Sequence, residues 1–208
     1  MLSAYVSLGL RNFVIPWEGI ALNKASMIAV TTASIALLIQ TSPCFAEQTV
    51  DQKIFVDKAE GVAFNFPQSW EIRQQRTNAF LVMVGSSNGL GESCMLQTNR
   101  NAALQQISSD EFVQSLSPKD IVNLGRQSNT DLNIINFKRT KVGNRPAIFY
   151  EASSIYQSLS SQFPIRLMTV ILKVDERMYS LGCTAHAAAI DAARPTFMNV
   201  LKSLTVKL

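Results

Sequence analysis

Histidine occurs once in this 208-residue chain and cysteine three times. A structural zinc site needs four ligands, usually Cys and His, and a catalytic one needs three protein ligands. Beyond the first 46 residues the soft ligands reduce to Cys94, Cys183 and His186. None of them stands in the paired spacing on which such sites rest, so no metal and no cofactor is expected. The chain also has no GxSxG, no HExxH and no Gly-rich phosphate loop, and no catalytic residue is assigned. Charge of one sign is scarce: the formal net charge is +4, and the one basic block is "KRTK", Lys138 to Lys141. Nucleic-acid-binding domains concentrate cations on one face far more strongly, so a solvated surface and no nucleic-acid partner are expected. No apolar run reaches the roughly 20 residues of a bilayer-spanning helix.

The apolar run that does occur lies near the start. In "KASMIAVTTASIALLIQTSPCFAEQ", Lys24 precedes an uncharged stretch from Met27 to Ile39, and polar residues and "CFA" follow. A basic start, a short apolar segment and small residues before a cut are the layout of a secretory leader. Cleavage after Ala46 makes residues 1–46 a leader, 47–52 a short polar arm and 53–208 a single domain, of ordinary size for one core. An uncleaved leader would act as the only membrane attachment. A lipid-modified Cys44 is a third reading, weakened by Pro43 where a small residue is usual. The long front, Met1 to Asn23, fits either a downstream start or an extended targeting segment. Export places the domain in a periplasm, outside the cell, or in a lumen of similar character.

In the remainder, Val62, Phe64 and Phe66 alternate with Ala63 and Asn65, the period of a half-buried strand, and Pro67 ends it. "EIRQQ" reads as a short strand. Phe80–Gly85 and Ser93–Thr98 read as a hairpin around a turn-rich loop. Ser108 with Glu111 has capping-box spacing. Ser117-Pro118 opens a second helix, for which Gly125 suits the end. Two antiparallel hairpins follow, one around "VGN" (Val142 to Asn144) and one around "DER" (Asp175 to Arg177). Phe197, Val200, Leu201 and Leu204 recur at helical spacing, with Pro195 as the opening residue. Strands, helices, hairpins and a last helix in that order argue an α+β domain, a mainly antiparallel sheet sandwiched by helices.

Four stretches then carry a family resemblance: "GVAFNFPQSWEI", "KVGNRPAIFYEAS", "VDERMYSLGCTA" and "FMNVLKSLTV". They resemble the opening strand, middle hairpin, penultimate hairpin and closing helix of the PsbP/Mog-type α/β/α sandwich proteins, including small exported bacterial members. The resemblance implies that fold, and binding, assembly or chaperone-like roles. It supplies no shared catalytic residues.

The remaining chemistry is sparse. Cys183 and His186 suggest a thiolate–imidazole pair. In an extended strand, however, residues three apart face opposite ways, so the pair requires the strand to end at Thr184. His186 alone reads as a surface or capping residue. Cys94 and Cys183 each fall in a strand, and an exported chain sits where disulfides persist. A Cys94–Cys183 bridge and two buried free thiols both remain open. Asp110-Glu111 and Asp175-Glu176 fit a helix start and a turn. Tyr156, Leu159 and Phe163 lie in what reads as a long Ser-rich loop, Ser153 to Leu167. Either they contact a partner protein or they pack the hairpin end. The function expected is therefore that of an exported, non-enzymatic domain that binds a partner protein in the envelope or assists an envelope or membrane complex. The alternative is a small-ligand carrier or minor hydrolase with a cleft between sheet and helices.

Overall fold

One bend sets the first strands. β1 (Gln52–Asp57) and β2 (Val62–Pro67) pair antiparallel, and the Asp57 carboxylate accepts from the amides of Ala59 and Glu60 in the bend between them. Gly61 closes the bend with φ +65°. Here β2 meets the chain end: Lys207 N–H donates to the Gly61 carbonyl at 2.7 Å, and β10 (Thr205–Val206) pairs with β2. A Cβ at position 61 would stand 2.6 Å from the Lys207 carbonyl oxygen. Gly61→Ala combines a left-handed φ with a backbone clash, and should cost about 1–3 kcal/mol, measured as a shift in the urea midpoint. An unchanged midpoint would mean that the turn relaxes freely.

The computed structural model describes residues 51–76, 80–87, 91–127, 130–157 and 162–207. The leader, residues 47–50 of the polar arm, and Leu159 lie outside these residues. The remaining strands are β3 (Trp70–Gln75), β4 (Val82–Ser86), β5 (Ser93–Arg100), β6 (Asn133–Val142), β7 (Arg145–Gln157), β8 (Gln162–Val174) and β9 (Arg177–His186). They form one seven-stranded sheet in the order β3-β4-β5-β9-β8-β7-β6, with every neighbouring pair antiparallel. The opening alternating strand is not in this sheet. It belongs to the separate three-stranded sheet β1-β2-β10, because Phe64 and Phe66 bury on the helix side of the domain with Val62.

Helices cover both faces. α1 (Ser109–Ser115) carries the capping box at Ser108 and Glu111, with the Ser108 hydroxyl accepting from Glu111 N–H and the Glu111 carboxylate accepting from Ser108 N–H. These bonds hold the Glu111 carboxyl below its ordinary pKa. α2 (Pro118–Gln127) follows. With α1 it seals a core of Phe112, Leu116, Ile121, Ile148, Ile171 and Met178 on one face of the sheet. α3 (Ile190–Lys202) packs on the other face with the small sheet, over Phe64, Trp70, Leu96, Met168, Leu181 and Phe197. The result is a helix–sheet–helix sandwich with a core on each side.

Three local expectations are corrected. Gly125 does not end α2, which continues to Gln127. Its bare Cα is needed for close approach instead, since a Cβ would lie 2.7 Å from the Thr130 carbonyl oxygen and 2.8 Å from Leu132. Pro195 does not open the last helix; it lies inside α3. Burial of Ile190 and Ala193 extends the helix upstream, and the missing proline N–H removes a single bond, to the Asp191 carbonyl. The first hairpin strand runs over Val82–Ser86 rather than Phe80–Gly85.

Candidate functional site

The middle strands decide the sulfur and histidine question. Cys94 and Cys183 are register partners on β5 and β9. Both point into the α3-side core, 1% and 0% exposed, and their sulfurs are bonded at 2.02 Å. β9 continues through His186, so alternation turns the imidazole to the opposite face. Its Nδ1 accepts from Ala188 N–H, which starts the 3-10 turn that leads into α3. Cys183 and His186 thus do not meet.

Carboxylates are engaged structurally. Glu60 pairs with Arg76 and Arg177, Glu176 pairs with Arg100, and Asp120 accepts from Ser117 at the start of α2. Glu151, 4% exposed, is clamped by Arg194 of α3 through two bonds of 2.8 Å and by Arg166 at 2.9 Å. Its carboxyl is held below the ordinary value by the Arg194 hydrogen bond first, against the opposing cost of burial. Lys173 lies beneath α1, and burial draws its pKa down; its sequence signal is a lone cation in the apolar run "TVILKV". Among the described residues no group of three or more His, Cys, Asp or Glu side chains could hold a metal ion. No described helix is long and apolar enough to cross a membrane.

The segment expected as a long loop is mostly strand. β7 runs to Gln157 and β8 starts at Gln162, because Ile155, Tyr156, Phe163 and Ile165 favour extended backbone. The hairpin outruns its neighbours: β9 ends opposite Ile165, and β6 begins opposite Ser153. Tyr156 and Phe163 are register partners beyond that limit, with ring centroids 4.8 Å apart. Phe163 also stacks on His186 at 6.0 Å and 25°. Beside them Ile155 is 61% exposed. Tyr156 and Phe163 therefore do pack the hairpin end, and they do so on an arm that projects from the sheet.

On the same face lies a pocket that sequence reasoning missed. One cross-strand row, Met83–Met95–Gly182–Thr169–Tyr150, runs from β4 to β7. The next row, toward the aromatic stack, is Ser93–Thr184–Leu167. Side chains from both rows line a cavity of about 60 Å³, joined by Gln97, Ser180 and Leu132. The Ser93 and Thr184 hydroxyls are 3.3 Å apart. Tyr150 bonds to Thr169, and burial raises the phenol's pKa. The available signal was a pair of polar residues four apart, hence on one face of a strand, at 93 and 97 on β5 and again at 180 and 184 on β9.

No family model matches the sequence, and no curated protein matches it. Solved structures do match. The solution structure of cyanobacterial PsbP (CyanoP) from Synechocystis sp. PCC 6803 is similar over 79% of this chain and 97% of that one, at 10% identity and a TM-score of 0.53. Weaker likenesses are to PA94, a protein of unknown function from Pseudomonas aeruginosa (9% identity, 76% and 98% covered, TM-score 0.47), and to LpqN of Mycobacterium tuberculosis, involved in cell envelope biogenesis (9% identity, 78% and 88% covered, TM-score 0.45). The two add nothing to the assignment. The fold is α+β and PsbP-like.

Proposed function

We propose that the chain is an exported, non-enzymatic domain that binds a partner protein in the envelope and assists a complex there, with the end of the β7–β8 hairpin as the contact. One observation carries the reading. Tyr156 and Phe163 form a tilted aromatic pair past the limits of β6 and β9, Phe163 stacks on the His186 ring, and exposed Ile155 flanks them. Rigid aromatic surface on a projecting arm presents large contact area at little conformational cost, and such residues dominate binding energy at interfaces. The leader layout of residues 1–46 supports export. The hydrolase alternative finds no support in the pocket, whose lining carries hydroxyls, an amide and thioethers but no His, Asp, Glu, Lys or Cys to serve as base.

The test is a crosslinking pull-down from the native envelope with the wild-type protein and with Tyr156→Ala/Phe163→Ala. Two truncated anchors should lower recovery of the wild-type partner at least tenfold, while the thermal melt shows the variant folded. Equal recovery by a folded variant removes the hairpin contact. Turnover in an enzyme panel, abolished by one point substitution, would overturn the non-enzymatic reading.

A further inference from the structure

Among the described residues the two sheets end in four edge strands, β3 and β6 on the large sheet and β1 and β10 on the small one. An open edge offers its ladder groups to any other strand, and proteins guard it with charge, bulges or brevity. β6 has a register shift between Ile134 and Asn136 and carries Lys138, Arg139 and Lys141. β3 is interrupted between Ile72 and Gln74 and exposes Glu71 and Arg73. β10 is two residues long, and Arg145 Nε donates to its Val206 carbonyl. β1 is the exception. Its six residues pair with β2 in unbroken register. Its outward side chains are Gln52, Ile54 and Val56, none of them charged, with Ile54 64% and Val56 56% exposed.

The same three residues hold the open ladder groups. Gln68 N–H donates to the Asp51 carbonyl, one pair beyond Gln52–Pro67. Bonded and non-bonded pairs alternate in an antiparallel ladder, so Asp51, Lys53, Phe55 and Asp57 bond to β2. Gln52, Ile54 and Val56 then turn their N–H and C=O groups to the side where β1 has no strand beside it. The far side of β2 agrees with this phase. Asn65 N–H donates to Ser203 Oγ, and the Gly61 carbonyl accepts from Lys207 N–H, both toward the chain end. Lys53 Nζ donates to the Trp70 carbonyl and Arg76 to the Asp57 carboxylate. β3 therefore runs along β1 and brings exposed Ile72 level with its middle.

A second copy of β1 matches this edge. Phe55 packs on the core, so Lys53 and Asp57, two residues either side of it, lie on the inner face. An antiparallel pair centred on Phe55 sets Ile54 opposite Val56 of the second copy on the outer face, and Lys53 opposite Asp57 on the inner one. Sliding by one pair sets Asp51 against Asp57 in one direction and removes the Lys53–Asp57 match in the other; like charges directly opposite destabilise a sheet. A strand without charge would leave Lys53 and Asp57 facing no opposite charge, whereas a second copy supplies one to each.

We propose that β1 is a self-association surface, on which two copies pair antiparallel about a two-fold axis at Phe55 and join their small sheets into one of six strands. The surface is distinct from the β7–β8 hairpin, and the inference does not rest on the hairpin contact.

Sedimentation of the purified exported protein tests it. The wild type should pass from monomer to dimer as concentration rises. Ile54→Pro removes an N–H that points to the open side and spares the bonds to β2, and should weaken the dimer at least tenfold with an unchanged thermal melt. Val56→Lys guards the edge with charge at an exposed position, should weaken the dimer by a similar factor, and decides the matter if Ile54→Pro fails to fold. The register is read by oxidative crosslinking. A mixture of Ile54→Cys and Val56→Cys proteins should form the covalent dimer at least tenfold faster than either variant alone. A wild type that stays monomeric up to about 1 mM overturns the proposal. So does a dimer that folded Ile54→Pro or Val56→Lys leaves intact, and so does Ile54→Cys crosslinking alone as fast as the mixture. A dimer that is lost in Tyr156→Ala/Phe163→Ala and kept in Val56→Lys places self-association on the hairpin and overturns the β1 surface.

Discussion

Replacing Cys94 and Cys183 together by alanine should destabilise the domain by about 3–4 kcal/mol, the largest loss expected from any surface-preserving change. The bridge joins residues separated by 89 positions. A closed loop of that length restricts the unfolded chain by roughly 4–5 kcal/mol in the chain-entropy model, and measured gains usually fall somewhat lower. For a domain of this size each kcal/mol moves the melting temperature by about 2–4 °C, so the variant should melt about 6–16 °C lower. Reduction of the wild-type protein should give the same shift. Because both sulfurs are sealed in the α3-side core, reduction should be slow until the protein is unfolded. Thiol labelling of the unfolded, unreduced exported protein should find no free thiol from this pair. Two thiols per chain would end the argument.

Arg194→Met should cost about 2–3 kcal/mol at neutral pH. Glu151 is almost fully buried, and removing one partner of a buried pair usually costs about 3–5 kcal/mol because the remaining charge is uncompensated. Here the loss is smaller. Arg166 remains as a second partner, and both arginines are partly exposed, at 37% and 29% of their side chains, so water screens part of the interaction. The pH dependence follows from the depressed pKa of Glu151 in the folded state. Stability from the clamp is fully present above the ordinary carboxylate pKa of the unfolded chain, and is lost as pH falls through the lower folded value. The gap between wild type and Arg194→Met in urea unfolding should therefore be widest at neutral pH and narrow in acid. A gap that is constant between neutral and acidic pH would show that Arg194 acts through packing alone.

The fold was legible wherever a local signal coincided with a tertiary need. The capping box at Ser108–Glu111 formed because its two bonds involve only neighbours three residues apart. Gly143 takes φ +56° in the turn marked by "VGN", and Asp175, at φ 51°, bends the chain at "DER". Signals failed where a distant packing surface outweighed them. Pro195 is a good first-turn residue, yet buried Ile190 and Ala193 carry the helix past it. Ser153 to Leu167 is rich in serine, yet ladder bonds from both strands convert most of it into a hairpin arm.

The chain's own pattern sufficed for most element types and the antiparallel hairpins, and alternation along one strand argued against a Cys183–His186 pair, which β9 settles by continuing through His186. It could not supply strand order. Cys94 faces Cys183 only because β5 and β9 are neighbours in the sheet, with 89 residues between them in sequence. Likewise Met83, Met95, Gly182 and Thr169 come from four strands and share a row only through register. Contacts of that kind are set by which apolar faces bury together across the whole domain. No window of sequence contains both sides of them, and the pocket and the bridge therefore exist only at the level of the assembled sheet.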